Sequence, residues 1–188
     1  MPGRRVHDGE ILDILEALDL VQRDLPAWRT VRTGRDPLRG SVAAGRWSPP
    51  GEFEVLYTSE QEAGSLAEIG YRLMLEPVWP SKISHDIHRL QVRLERVLDL
   101  SDFATLQRLL IDERSYEGHN YQRTWEVAAA ARFLEADGII VPNARHPSSN
   151  LVVFVDRAAD DSVAVLETRP VDWSSWRKAN RGKPSRTA

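Results

Sequence analysis

Hydrophobic positions recur along this chain with two periods, and each period marks a kind of element. Between Gly9 and Gln22, the residues Ile11, Leu12, Ile14, Leu15, Leu18 and Val21 fall at helical spacing with acidic residues between them. That pattern predicts an amphipathic helix over 9–22, stopped by Pro26. From Ala27 to Gly51 the periodicity dissolves among Gly, Pro and Arg, which predicts loop with a short strand near Trp28–Val31. Glu52–Tyr57 reads as a strand. Ser59 with Glu62 fits a capping box, so a helix is expected from about Glu60 to Leu75, ended by Pro77 and Pro80. Its expected buried stripe is Ala63, Leu66, Ala67, Gly70 and Met74, with Glu68 off the stripe beside Gly64 and Tyr71. A glycine at position 64 would leave room for another group to approach the carboxylate.

Downstream the period changes to two. Residues 89–97 alternate polar and apolar, predicting a strand with one buried face. Ser101-Asp102 then caps a short helix carrying Phe103, Leu106, Leu109 and Leu110, and 112–120 is polar loop. A second helix is expected from about Tyr121 to Ala136, with Gly138 as its C′ residue. Ile139–Val141 and Leu151–Val155 read as strands joined by the turn-rich 142–150, and Ser162–Glu167 as a last strand. Beyond Trp176 the tail carries Arg177, Lys178, Arg181, Lys183 and Arg186 among polar residues, and is expected to be a disordered, solvated end. The fold class is therefore α+β, a mixed sheet flanked by helices. The organisation is an N-terminal helical extension over 1–26, a core domain over 27–176 and a basic tail over 177–188, without internal repeats or an interdomain linker.

Bulk properties narrow the functional classes. With 188 residues, 41% hydrophobic and 28% charged, the chain can bury one substantial core. A net charge of −3 and a pI near 6.0 provide no electrostatic footprint for nucleic acid or membrane surfaces. There is no cysteine, hence no disulfide or thiolate chemistry. No apolar run is long enough to cross a bilayer and the N-terminus has no signal-type segment, so a cytoplasmic protein is expected. His85 and His88 lie three apart without a second ligand pair, so no metal site is expected.

The chemistry-bearing residues concentrate in one stretch. Gly45-Arg46-Trp47-Ser48-Pro49-Pro50-Gly51 is followed by Leu56-Tyr57-Thr58-Ser59 and then Ala67-Glu68, placing a guanidinium, a phenol and a carboxylate on one loop–strand–helix unit. Each has a plain structural alternative: Arg46 as a loop ion pair, Tyr57 as a core aromatic, Glu68 as a solvated helix residue. Trp47 and Trp125 read as packing residues, Asn150 as a turn residue, and Arg145 as either structural or phosphate-binding.

Together with Trp28-Arg29, Gly138-Ile-Ile-Val-Pro-Asn-Ala-Arg145 and Asn150-Leu-Val-Val-Phe154, these segments resemble the RES domain family over about residues 27 to 156. That family comprises toxins of Xre–RES-type bacterial toxin–antitoxin pairs. The resemblance implies a core like that of ADP-ribosyltransferase toxins, with NAD as substrate rather than cofactor, cleaved by hydrolysis or phosphorolysis, or used to ADP-ribosylate a protein. It puts the family's arginines on Arg29 and Arg46, its Tyr on Tyr57 and its Glu on Glu68. Arg32 is an alternative for the first arginine. The family's Ser position falls on Asn143, which has an amide in place of a hydroxyl. The implied catalytic set is Glu68, Tyr57 and Arg46, and the implied NAD-binding set is Arg29, Arg46, Tyr57 and Asn143. The resemblance also implies a cognate antitoxin with an Xre or helix-turn-helix region, and it admits homo-oligomers.

The chemistry suits those residue types. Departure of nicotinamide leaves the ribose C1′ oxocarbenium-like, which a neighbouring carboxylate stabilises. Guanidinium forks grip a pyrophosphate through paired charge-assisted bonds, and a tyrosine stacks on the nicotinamide. A catalytically silent NAD-binding module is a competing reading, kept open by Asn143. An RNase fits less well, since no basic stripe interleaved with aromatics is present.

Overall fold

Alternating apolar residues build the two longest strands, and these run well past the segments expected of them. In the computed structural model, which describes residues 6–80 and 82–180, β1 spans Leu20–Arg32 and β3 spans His85–Asp99. They pair antiparallel from Leu20↔Leu98 to Arg32↔His85. The helix expected over 9–22 is correspondingly short: α1 is Gly9–Glu16, with the Asp8 carboxylate accepting from the Glu10 N–H at 2.9 Å. Ile11 and Leu15 bury its inner face. Past Glu16 the apolar residues Val21, Leu25 and Ala27 follow strand alternation towards one interior, and pairing with β3 overrides the helical spacing of Leu18 and Val21. Pro26 is not a helix stop; it lies inside β1, so residue 26 does not close a helical segment. The missing N–H is tolerated because β2 (Val55–Ser59) meets β1 only at Trp28↔Ser59.

β3 serves two neighbours on its other side. Residues 86–92 pair with β6 (Val163–Pro170), and residues 97–99 pair in parallel with β4 (Gly138–Pro142). β4 pairs with β5 (Ser149–Phe154), and β5 with β2, both antiparallel. Because β1 also touches β2, the pairings β1–β2–β5–β4–β3–β1 close a ring. Alternate side chains of these strands fill its inside: Leu56, Leu90, Val92, Ile140, Leu151 and Val153. The residues between them, Val55, Ile139, Val141, Val152 and Phe154, form a second core beneath α1, α3 (Phe103–Arg108) and α4 (Gln122–Phe133). Asp102 caps α3 as expected, accepting from the Thr105 N–H at 3.0 Å. No described helix is long and apolar enough to cross a membrane.

Four local expectations give way. Helix α2 (Glu62–Met74) begins at Gln61 without a side-chain cap, because Ser59 is the last residue of β2. Its buried residues are Gly64, Ser65, Gly70 and Leu73, while Met74 is half exposed. The inward face carries the helix's smallest residues, which an apolar stripe does not mark: Ser65 Oγ meets Thr30 Oγ1 at 2.8 Å, and Trp176 packs on Gly70. Gly138 is not a helix C′ residue. α4 ends at Phe133, Glu135 takes the left-handed conformation (φ 62°), and Gly138 opens β4. The chain past the sheet forms α5 (Trp173–Ala179), so residues 177–179 of the expected tail are helical; residues 181–188 lie outside the described residues.

Candidate active site

The ends of β1, β2 and β5, the inner face of α2 and the loop before β2 enclose one cleft of about 520 Å³. Arg29, Arg46, Tyr57 and Glu68 all line it. Arg32 is exposed and outside the lining, which favours Arg29 between the two candidates.

Arg29 is delivered by β1, one residue beyond the Trp28↔Ser59 bridge. Its guanidinium donates to the Tyr57 carbonyl at 2.8 Å and the Arg39 carbonyl at 3.1 Å. The buried Nε has no hydrogen-bond partner among the described residues. Burial lowers its pKa from the ordinary arginine range to about 10, only partly opposed by Asp36, so it remains cationic at neutral pH. A partly buried cation held by carbonyl oxygens, with no carboxylate hydrogen-bonded to it among the described residues, favours an anion in the adjoining cleft.

Arg46 sits between two aromatic rings, 4.6 Å from the centroid of Tyr116 and 4.9 Å from that of Tyr121. Its backbone is tied to α4, since the Thr124 hydroxyl donates to the Arg46 carbonyl and Trp125 Nε1 donates to the Gly45 carbonyl at 2.7 Å. Trp47 is buried and its Nε1 donates to the Tyr116 hydroxyl at 3.2 Å; that hydroxyl in turn donates to the Pro142 carbonyl at 2.8 Å. The arginine is thus mounted on a rigid loop–helix joint.

Tyr57 points its hydroxyl at the same loop, accepting from the Trp47 N–H at 2.8 Å. Burial pushes the phenol pKa up, and the Trp47 N–H only partly opposes this, so the hydroxyl keeps its proton and can donate it. Glu68 projects from the middle of α2, and its Oε1 accepts from the Ala144 N–H at 3.3 Å. Two guanidiniums, one phenol and one carboxylate therefore line a shared cleft from β1, the loop before β2, β2 and α2.

Asn143 is placed differently. It is fully buried and outside the cleft lining, at the start of the β4–β5 loop. Its Nδ2 donates to Asn150 Oδ1 at 2.8 Å, its Oδ1 accepts from the Arg145 N–H at 2.8 Å, and its own N–H donates to the Ser148 carbonyl at 2.9 Å. This geometry does not meet the expectation of direct contact with substrate.

The lining also includes Tyr71, which the helical spacing placed beside Glu68, and three residues that the sequence did not single out: Tyr121, His119 and Arg72. Arg145, left open from sequence, lines the cleft while stacking 3.5 Å from the centroid of Tyr71 and pairing with Glu117 at 3.2 Å. Tyr71 could be anticipated, three residues from Glu68 on one helix face. Tyr116 and Tyr121 could not, because only the packing of α4 and the preceding 3₁₀ turn (Glu113–Ser115) brings them to Arg46.

A ring-shaped mixed sheet under helices, with a cationic and acidic cleft at its edge, defines an α+β class of fold with a small-molecule-sized site. The chain matches the RES domain over residues 26–174 and belongs to that family. It is 34% identical over 131 residues to a probable NAD(+) phosphorylase of Mycobacterium tuberculosis, a match covering 69% of this chain and 61% of that protein. It is 23% identical over 143 residues to the NAD(+) phosphorylase MbcT of Mycobacterium bovis, covering 73% of this chain and 77% of that one. The fold superposes with a TM-score of 0.80 on a chain of the crystal structure of the M. tuberculosis MbcT–MbcA toxin–antitoxin complex, at 20% identity, covering 91% of this chain and 97% of the other.

Proposed function

We propose that this protein is an NAD-cleaving toxin that breaks the nicotinamide–ribose bond, with phosphate as acceptor in preference to water. The observation that carries the reading is the convergence of Arg29, Arg46, Tyr57 and Glu68 on one cleft. Its size lies in the range of small-molecule sites. The names of the curated relatives support NAD as substrate and phosphate as acceptor.

In this reading Arg29 and Arg46 grip the pyrophosphate, the first as a desolvated charge and the second as a guanidinium held by its flanking rings. Tyr57 keeps its proton and donates it to a ribose or amide oxygen. Glu68 stands beside C1′, where positive charge develops as the C–N bond breaks and its electron pair leaves with nicotinamide. An oxygen of phosphate forms the new bond to C1′, and the products are nicotinamide and ADP-ribose 1-phosphate. Water in that place produces ADP-ribose.

Purified protein is expected to release nicotinamide from NAD faster when phosphate is present, and Glu68→Gln is expected to lower that rate about 10²–10³-fold. Absence of release with and without phosphate, or release unaffected by Glu68→Gln, overturns the reading. Label retained on a macromolecule would instead reveal a protein ADP-ribosyltransferase. The proposal extends to a cytoplasmic setting and to a cognate antitoxin with a helix-turn-helix region that blocks the cleft. The antitoxin is supported by the toxin–antitoxin complex whose chain shares this fold, and co-expression with a cognate antitoxin should abolish nicotinamide release.

A further inference from the structure

The geometry points to Asn143 as a positioning residue that acts on Glu68 through the backbone of the β4–β5 loop, without touching substrate. This rests on the assignment of Glu68 made above.

Gly64 lies one helical turn before Glu68 on α2. A Cβ there would fall 2.4 Å from Ser59 Oγ, 2.6 Å from Ser148 Oγ and 3.0 Å from Asn143 Nδ2. The glycine therefore does not open space for an approaching ligand; that space is filled by the end of β2 and the β4–β5 loop. The helix and the loop are seated against each other at this point.

Asn143 sets the shape of the loop. With Oδ1 accepting from the Arg145 N–H, its amide orientation is defined, and Nδ2 must donate to Asn150 Oδ1. The Oδ1 bond spans two residues, an Asx-type turn that fixes the peptides on either side of Ala144. The Ala144 N–H is thereby held towards α2, where Glu68 Oε1 accepts it. Asn150 belongs to the cleft lining, so the same amide pair also anchors the first residues of β5 beside the site. A serine hydroxyl could accept from the Arg145 N–H, but it is too short to keep the second bond to Asn150. The amide closes both links from a fully buried position.

Displacing a reacting carboxylate by a fraction of an ångström to an ångström costs about tenfold to a hundredfold in rate. Asn143→Ala is expected to lower kcat for nicotinamide release by that factor while leaving KM for NAD unchanged, because the residue does not line the cleft. Asn143→Ser, which keeps one of the two links, should fall between, and it carries the same test if the alanine variant does not fold. The decisive measurement is a double-mutant cycle with Glu68→Ala. If Asn143 acts through Glu68, adding Asn143→Ala to the Glu68→Ala protein changes the residual rate less than twofold. A rise in KM at constant kcat, unchanged kinetics, or full additivity with Glu68→Ala would each overturn the positioning role. If Glu68→Ala itself releases nicotinamide at the native rate, it is the functional reading that fails, whatever Asn143 does.

Discussion

Gly45→Ala tests how tightly the Arg46 loop is seated on Tyr57. A Cβ at position 45 would lie 2.8 Å from the Tyr57 hydroxyl and 3.3 Å from two ring carbons, where ordinary contact begins at 3.4 Å. The overlap at the oxygen is about 0.6 Å, and the phenol cannot retreat freely. Its hydroxyl is tied to the Trp47 N–H at 2.8 Å, and the loop is tied to α4 through Trp125 and Thr124. Gly45 does not have a positive φ, so the effect is steric and not conformational. Overpacking of this kind costs about 1–3 kcal/mol. For a chain of this size, that lowers Tm by roughly 2–12 °C, measured by differential scanning calorimetry. Tyr57→Phe removes the clashing oxygen but leaves the Trp47 N–H unpaired, itself worth about 1–3 kcal/mol. The two changes address the same atom, so the double variant should be less destabilised than the summed single effects by about 1 kcal/mol or more. An unchanged Tm for Gly45→Ala, or strict additivity with Tyr57→Phe, would refute the close approach on which the placement of Arg46 depends.

Two further outcomes are expected. Burial, and secondarily Arg32, depress the His85 pKa below its ordinary 6.5, with Asp86 opposing, and the neutral ring accepts from Trp173 Nε1 at 3.1 Å through Nδ1. A base whose folded pKa is depressed contributes stability above its unfolded value and loses it as pH falls through the folded one, so acidification below 6.5 should loosen α5. The near-UV signal of Trp173 and its neighbour Trp79 should fall over that interval, and His85→Gln should flatten the response. Arg46→Lys replaces a planar ion held between the Tyr116 and Tyr121 rings with a point charge. KM for NAD should rise about tenfold, in line with a cation–π loss of 1–2 kcal/mol, and calorimetry of NAD binding to the Glu68→Gln protein provides the check.

The sequence carried what depends on near neighbours. Strand alternation in residues 89–97 marks the middle of β3, Asp102 caps α3, and the spacing of Arg46, Tyr57 and Glu68 shows a cation, a phenol and a carboxylate close together in the chain. The α+β class and the family follow from such local order. The tertiary structure decided whatever depends on partners distant in sequence. β1 is a strand because β3 offers its whole length for pairing, against the helical spacing of its first apolar residues. Gly64, Ser65 and Gly70 face inward because Ser148, Thr30 and Trp176 come to them from elsewhere, which no hydrophobic stripe on α2 could report. Asn143 turns away from the cleft for the same reason, its amide being claimed by Arg145 and Asn150. Periodicity records which face of an element is apolar, whereas closure of a ring of strands and the seating of a loop on a helix are long-range packing events, and only those bring Arg29 to the side of Tyr57 and Glu68.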